Sequence, residues 1–239
     1  MHGSTLELLN LFGWGCVALM ALFYLWCLRS YRASQYGRQV KRGFFRTLSD
    51  DGSFGEYKLG CAVERVLPGC RLLFNAYVPN GHGSYTECDC VAIYLGLVIV
   101  FEMKNYSGWI FGRERDVYWT QSLNPRVRNR FLNPIRQNSN HVKALAGYLE
   151  VESDRLAPVV VFSNHCELKK VDVSTCPVVR LGDLRTLLPT LVEGCAGSTG
   201  EDLELYNRLY PLTQVSDEVK KAHGERISAK MSRSKTQLK

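Results

Sequence analysis

A run of 21 residues without a charged side chain, Leu8 to Leu28, limits what the N-terminal part of this chain can form. At about 1.5 Å of rise per helical residue the run reaches roughly 30 Å, the thickness of a bilayer's hydrocarbon core. Trp14, Tyr24 and Trp26 are amphipathic aromatics of the kind found at membrane interfaces. A cleaved leader would carry a basic start and a small-residue cleavage site. Here no Lys or Arg precedes the run, and Trp26-Cys27-Leu28-Arg29 offers no such site. The expectation is a retained transmembrane helix over residues 8–28. Six basic side chains and no acid follow within residues 29–46, against Glu7 alone on the other flank. Positive charge stays inside, which predicts a single-pass protein with its N-terminus outside and the remainder in the cytoplasm.

The net charge of +7 suggests nucleic acid until its distribution is traced. Residues 29–46, read as a basic juxtamembrane linker over 29–48, hold +6; residues 215–239 hold +4; Glu7 holds −1, which leaves −2 for residues 47–214. The globular part is therefore not basic, and topology with attraction to anionic headgroups accounts for the basic flank. Residues 213–239, rich in lysine and serine, read as a loosely ordered tail. Arg113, Arg115, Arg126, Arg128 and Arg130 form a local basic stretch that suits either a solvated surface or a phosphate path. Nine cysteines include no C-x-x-C pair. Cys88 and Cys90 are the closest two and, on a regular strand, point to one face. The set reads as reduced, mostly buried thiols and not as a zinc site.

Between the flanks, residues 49–212 carry the pattern of one α/β domain with a C-terminal helical extension. Asp50-Asp51-Gly52-Ser53 is a turn and helix start. Leu59, Ala62, Val63, Val66 and Leu67 then recur at helical spacing until Pro68-Gly69 stops the helix. Strands are predicted over 71–78, 85–94 and 97–104, the last two as a hairpin about Leu95-Gly96, with short strands over 109–118. Asn133-Pro134 opens a helix through Leu149. Residues 158–162 read as a buried strand, and 181–191 and 203–209 as helices. The fold class is α/β: a mixed sheet flanked by helices, preceded by the membrane helix.

Chemistry concentrates at the end of the hairpin. Strand side chains alternate, so Glu102 and Lys104 share one face while Phe101 and Met103 take the other. The hairpin brings Asp89 beside Glu102. Two carboxylates at a sheet edge suit a hard divalent cation such as Mg²⁺ or Mn²⁺, and a lysine beside them can stabilise phosphate charge. A plain cross-strand salt bridge explains the same residues. It does so less well for Glu102, which lies in a strongly apolar strand where an uncompensated charge is costly.

The chain resembles the NERD (nuclease-related) family of the PD-(D/E)xK, restriction-endonuclease-like superfamily over roughly residues 50–162. The matching residues are Gly52-Ser53-Phe54-Gly55-Glu56, Thr86-Glu87-Cys88-Asp89 and Phe101-Glu102-Met103-Lys104-Asn105-Tyr106-Ser107-Gly108. Trp119 and Asn133-Pro134-Ile135-Arg136-Gln137 with His141 and Leu145 extend the match. The resemblance implies a restriction-endonuclease-like sheet and Mg²⁺-dependent cleavage of nucleic acid, with DNA ahead of RNA as substrate. It implies metal ligation by Asp89, Glu102 and the Met103 carbonyl, with Glu56 supporting the metal or its waters. Lys104 would be the catalytic lysine and Gln137 an auxiliary polar residue. Cys90 stands where the family often has His. His141, on its helix, can either reach phosphate or pack at the surface, and the surface role is the expectation; His82, His165 and His223 receive no role. The alternative is a tethered nucleic-acid-binding or protein-interaction module with a vestigial site, within a defence system for instance.

Overall fold

A computed structural model describes residues 2–81 and 83–236; His82 and residues 237–239 of the tail lie outside the described residues. Helix α1 (His2–Ala33) contains the apolar run. Over Asn10–Ala33 it is long and apolar enough to cross a membrane, and no residue of its most apolar stretch is buried inside the protein. Two short helices follow, α2 (Gln35–Gln39) and α3 (Phe44–Leu48). Residues 29–48 are therefore a folded part of the body and not a free linker: Tyr31 and Tyr36 are among the buried core residues. The chain continues with α4 (Asp51–Val66), β1 (Arg71–Pro79), β2 (Tyr85–Tyr94), β3 (Leu97–Lys104), β4 (Gly108–Arg113), β5 (Tyr118–Asn124), β6 (Val127–Leu132) and α5 (Pro134–Leu149). Then come β7 (Leu156–Phe162), β8 (Cys166–Asp172), β9 (Val178–Arg180), α6 (Leu184–Leu191), α7 (Thr199–Leu209) and α8 (Asp217–Thr236). The expectation of a loose tail is corrected over α8, which is helical and reaches back to β2, where the His223 ring nitrogen Nδ1 lies 3.1 Å from the Tyr85 carbonyl.

The fold is mixed α/β, with two mixed sheets flanked by helices. The first sheet runs β1-β2-β3-β7-β9, antiparallel through β3 and parallel beyond it. The second runs β6-β5-β4-β8. Helices α4 and α6 cover one face of the first sheet around Leu59, Val63, Phe74, Ile99, Phe101 and Leu188. Helices α5 and α7 cover the other around Leu73, Val91, Val100, Leu145 and Leu209. With both faces covered, β3 is apolar at nearly every position, as a central strand requires. The β5–β6 hairpin and β8 are additional to the sequence reading, because their exposed polar residues carry no clean two-residue period.

One local irregularity bears on the site. Asn75 has φ +52°, a left-handed conformation that asparagine tolerates better than most residues. Across it, β1 changes faces: Phe74 packs towards α4, while Ala76 packs towards α5. The paired strand changes with it, since Cys90 packs with the α4 layer and Cys88 with the α5 layer. The expectation that Cys88 and Cys90 share one face is thereby corrected. Asp89 sits at the switch.

Candidate active site

The site is built at the C-terminal end of β3, where the central strand emerges between its helical layers. Strand alternation sends Phe101 and Met103 to the α4 side and Glu102 to the α5 side, where it is 2% exposed. A carboxylate so deeply placed needs compensation, and two cations supply it. Lys104 Nζ lies 2.5 Å from Glu102 Oε1, and His141 Nε2 lies 3.0 Å from Oε2. His141 Nδ1 in turn meets Thr86 Oγ1 at 2.8 Å. From β2, Asp89 Oδ2 accepts the Met103 backbone N–H at 2.9 Å, which ties the second carboxylate to the same strand end.

Helix α5 is held over this point by sequence. Asn133 caps it, Pro134 occupies its first turn, and buried Asn138 donates from Nδ2 to the Val100 and Val159 carbonyls at 2.8 and 3.1 Å. That side chain locks α5 across the β3–β7 pair. Gln137 and His141, one helical turn apart, then both reach the cleft. On the other face, α4 approaches closely because Gly55 has no side chain: a Cβ there would meet Asn105 Cβ at 3.0 Å and Met103 Cε at 3.3 Å. Gly52 is under no such constraint, its Cβ position meeting only Asp50 Oδ1 at 3.6 Å.

Asp89, Glu102, Lys104, Gln137 and His141 line one cleft of about 430 Å³ with Arg130 at its rim. His223 and Ile227 of α8 also lie along it. Glu56 is not on this wall. It lines the neighbouring cleft, where its Oε2 accepts from Asn75 Nδ2 at 3.2 Å and from the Tyr36 hydroxyl at 3.4 Å. Of the arginines in the basic stretch, Arg130 alone borders the cleft, with its guanidinium 4.9 Å above the Tyr118 ring.

The electrostatics follow from burial and from two like charges in one place. Burial and then the Glu102 charge push Asp89 up to about 7, against the pull of Lys104. Burial would also raise Glu102, but Lys104 and His141 outweigh it and bring it down to about 2. Burial works against the Lys104 charge and is overcome by Glu102 and Asp89, so the ammonium is held above its usual range. For His141, burial is overcome by its contacts with Cys88 and Glu102, which raise it to about 11. Burial keeps the Cys88 thiol protonated, so Glu102 is the anion that holds His141 charged. Glu56 is raised to about 8, by burial first and then by the charges of Asp89 and Glu87.

These donors fit a small hard cation. Asp89 spends one oxygen on Met103 and keeps the other, while an ionised carboxylate offers about four lone-pair directions for the two contacts at Glu102. Among the described residues, no three His, Cys, Asp or Glu side chains converge as a complete metal cage. Mg²⁺ asks for less than a cage, since it is commonly held by one or two carboxylates with waters and phosphate oxygens.

The sequence reading passed over His141, which is buried and joins Thr86 to Glu102 and is not a surface side chain. Its four-residue spacing from Gln137 was the available signal. The contact of Thr86 with His141 and the part of Asn138 in holding α5 have no signal in the sequence pattern.

Residues 51–163 match the family described as nuclease-related domain. An uncharacterized protein of Bacillus anthracis is 36% identical over 102 residues, covering 43% of this chain and 47% of that protein. The chain thus spans about half the length of the curated relative it matches. No solved structure matches the chain. The segment that matches the nuclease-related domain family, just under half of the chain, contains α4, the hairpin with Asp89, Glu102 and Lys104, and all of α5.

Proposed function

We propose that this protein is a membrane-anchored, divalent-metal-dependent nuclease that hydrolyses phosphodiester bonds, with DNA ahead of RNA as its substrate. The observation that carries the reading is the placement of two carboxylates and a charged lysine at one strand end, open to a cleft with an arginine at its rim. Asp89, Glu102 and the Met103 carbonyl would hold Mg²⁺ or Mn²⁺. When bound, such a cation would supply polarisation of the phosphodiester and a water of lowered pKa. Lys104 remains an ammonium beside Glu102, so its part is to stabilise charge on the scissile phosphate. His141 fixes the Glu102 carboxylate. Gln137 orients water or phosphate from α5, and Glu56 supports the site from behind β1 and β2 through Asn75. Arg130 gives the approaching backbone a cationic contact.

In this reading α1 anchors the chain with its N-terminus outside, because the basic residues follow the apolar run. The cleft then works in the cytoplasm, where nine unpaired thiols are at home. The test is cleavage of DNA and RNA substrates by the full chain in detergent micelles, with Mg²⁺, Mn²⁺ or a chelator. The full chain is needed because Tyr31 and Tyr36 belong to the core. Metal-dependent cleavage supports the assignment. Substrate binding without cleavage under any of these metals would leave a tethered binding module instead.

A further inference from the structure

The join between α1 and the body carries a second feature. Tyr31 at the end of α1 donates its hydroxyl to the Arg42 carbonyl at 2.7 Å and lies 2.9 Å from the fully buried Thr47 hydroxyl. Its ring packs edge-on against Phe44 at 5.5 Å and Tyr57 at 5.2 Å. Helix α3 is therefore clamped against α1, and its aromatic side chains turn back along it. Phe45 stacks on Tyr24 with centroids 5.4 Å apart and planes 12° apart, and Phe44 lies 6.1 Å from the same ring.

Tyr24 stands four residues inside the apolar run, about 6 Å above its end at Leu28. Whatever packs on Tyr24 must therefore sit at that depth if α1 spans a bilayer. Yet Phe45 is 67% exposed and Leu48 is 40% exposed. Beside them runs an apolar groove of about 800 Å³ between Phe23 and Trp26 of α1, Leu48 of α3 and Ala62 of α4, with Lys58 and Arg65 on its border. Arg29, Arg32 and Arg46 are exposed around the same join.

We infer that α3 and the groove beside it form a second membrane contact, so that the nuclease-related domain is seated on the bilayer and does not hang from a tether. This rests on the reading of α1 as a membrane span. The occupant is lipid and not protein, because the exposed face of α3 continues the lipid-facing surface of α1 at the same level. Its depth agrees with that of interfacial helices, about 5–10 Å into the headgroup and acyl boundary. The surrounding arginines suit anionic headgroups.

The experiment places the photo-crosslinking residue benzoylphenylalanine, one position at a time, at Phe45, Leu48, Leu19 and Leu203 of the full chain. Each variant is reconstituted in vesicles of phosphatidylcholine and phosphatidylglycerol. Leu19 lies within the apolar run, and Leu203 is an exposed residue of α7 in the layer on the far side of the sheet. The inference expects lipid adducts from Leu19, Phe45 and Leu48 at similar yields, and none from Leu203. Adducts from Leu19 but not from Phe45 or Leu48 overturn the second contact and leave the span standing. Chain-to-chain adducts from Phe45 overturn it as well, in favour of a protein partner. Lack of lipid adducts from Leu19 removes the span, and the inference with it. Phe45 and Leu48 are both exposed, so substitution at either leaves the core intact.

Discussion

His141 Nε2 lies 3.0 Å from Glu102 Oε2, on the side of the carboxylate opposite Lys104. The Glu102 carboxylate is thus gripped by two cations from two elements, and the grip fixes where its oxygens point. A surface histidine would have no such consequence.

Replacing His141 with Ala removes one half of that grip. A hydrogen bond to a charged buried partner is worth about 1.5–3 kcal/mol, so the melting temperature should fall. Cleavage should fall further than stability alone explains, by at least about tenfold at a temperature where the variant is folded, equivalent to about 1.4 kcal/mol in the transition state. His141→Gln, which can still donate to Glu102, should recover part of both. Wild-type cleavage by folded His141→Ala would show the histidine to be a packing residue.

Asn138→Leu tests how α5 is positioned. The substitution deletes two donors to the Val100 and Val159 carbonyls and leaves those acceptors buried, at a cost of about 1–3 kcal/mol. Denaturant melts should show the loss, and cleavage should drop with it because Gln137 and His141 hang from the same helix. An unchanged midpoint would mean that the apolar contacts of α5 suffice.

Glu56 and Glu64 separate a supporting acid from a structural one. Glu56→Gln removes a carboxyl that burial holds near pKa 8, so it should cost little stability at neutral pH while lowering cleavage about tenfold. Glu64 is not the solvated charge that its place late in the helix suggests: its Oε1 accepts the Gln35 backbone N–H at 3.1 Å, at the start of α2. Glu64→Gln should therefore touch stability slightly and cleavage not at all. Equal cleavage by both variants would take Glu56 out of the site.

The pH dependence of the metal-free protein has a definite sign. Asp89 is raised to about 7 and Glu56 to about 8, whereas unfolded carboxyls titrate near pH 4. Between these values the folded chain binds more protons than the unfolded one, so stability falls as pH rises from about 4 to 8. His141, raised from 6.5 to about 11, adds the same sign above pH 6.5. Glu102, lowered to about 2, acts in the opposite direction, but only below its ordinary value of 4.5. Melting temperatures in chelator should decline from about pH 5 to pH 8, and added Mg²⁺ should restore more at each higher pH. A Mg²⁺ effect that is absent or independent of pH would speak against ligation by Asp89.

Much of this was legible from the residues. The apolar run, the bounds of β2 and β3, the start of α5 at Asn133-Pro134, and the shared face of Glu102 and Lys104 all follow from period and capping. Contacts that depend on distant packing were not legible. The face switch at Asn75 and Asp89 breaks the two-residue alternation on which the Cys88 and Cys90 reading relied. The burial of His141 is set by how α5 lies across β3, which Asn138 decides. The second sheet was hidden because β6 and β8 are largely solvent-facing. Residues 29–48 looked like a linker because arginine dominates them, while Tyr31, Tyr36 and Thr47 do the packing.

The cleavage rate of Lys104→Ala relative to the parent chain at saturating Mg²⁺, with Mg²⁺ binding confirmed on the same sample by calorimetry, separates a lysine that acts on phosphate from one that only pairs with Glu102. Lys104 is assigned to the scissile phosphate and not to the cation. The variant should therefore bind Mg²⁺ at least as well as the parent, having lost a competing positive charge beside Asp89 and Glu102, and should cleave at least about a hundredfold more slowly, a loss of about 2.7 kcal/mol in transition-state stabilisation. A folded Lys104→Ala protein that binds Mg²⁺ and cleaves at the parent rate would contradict the account.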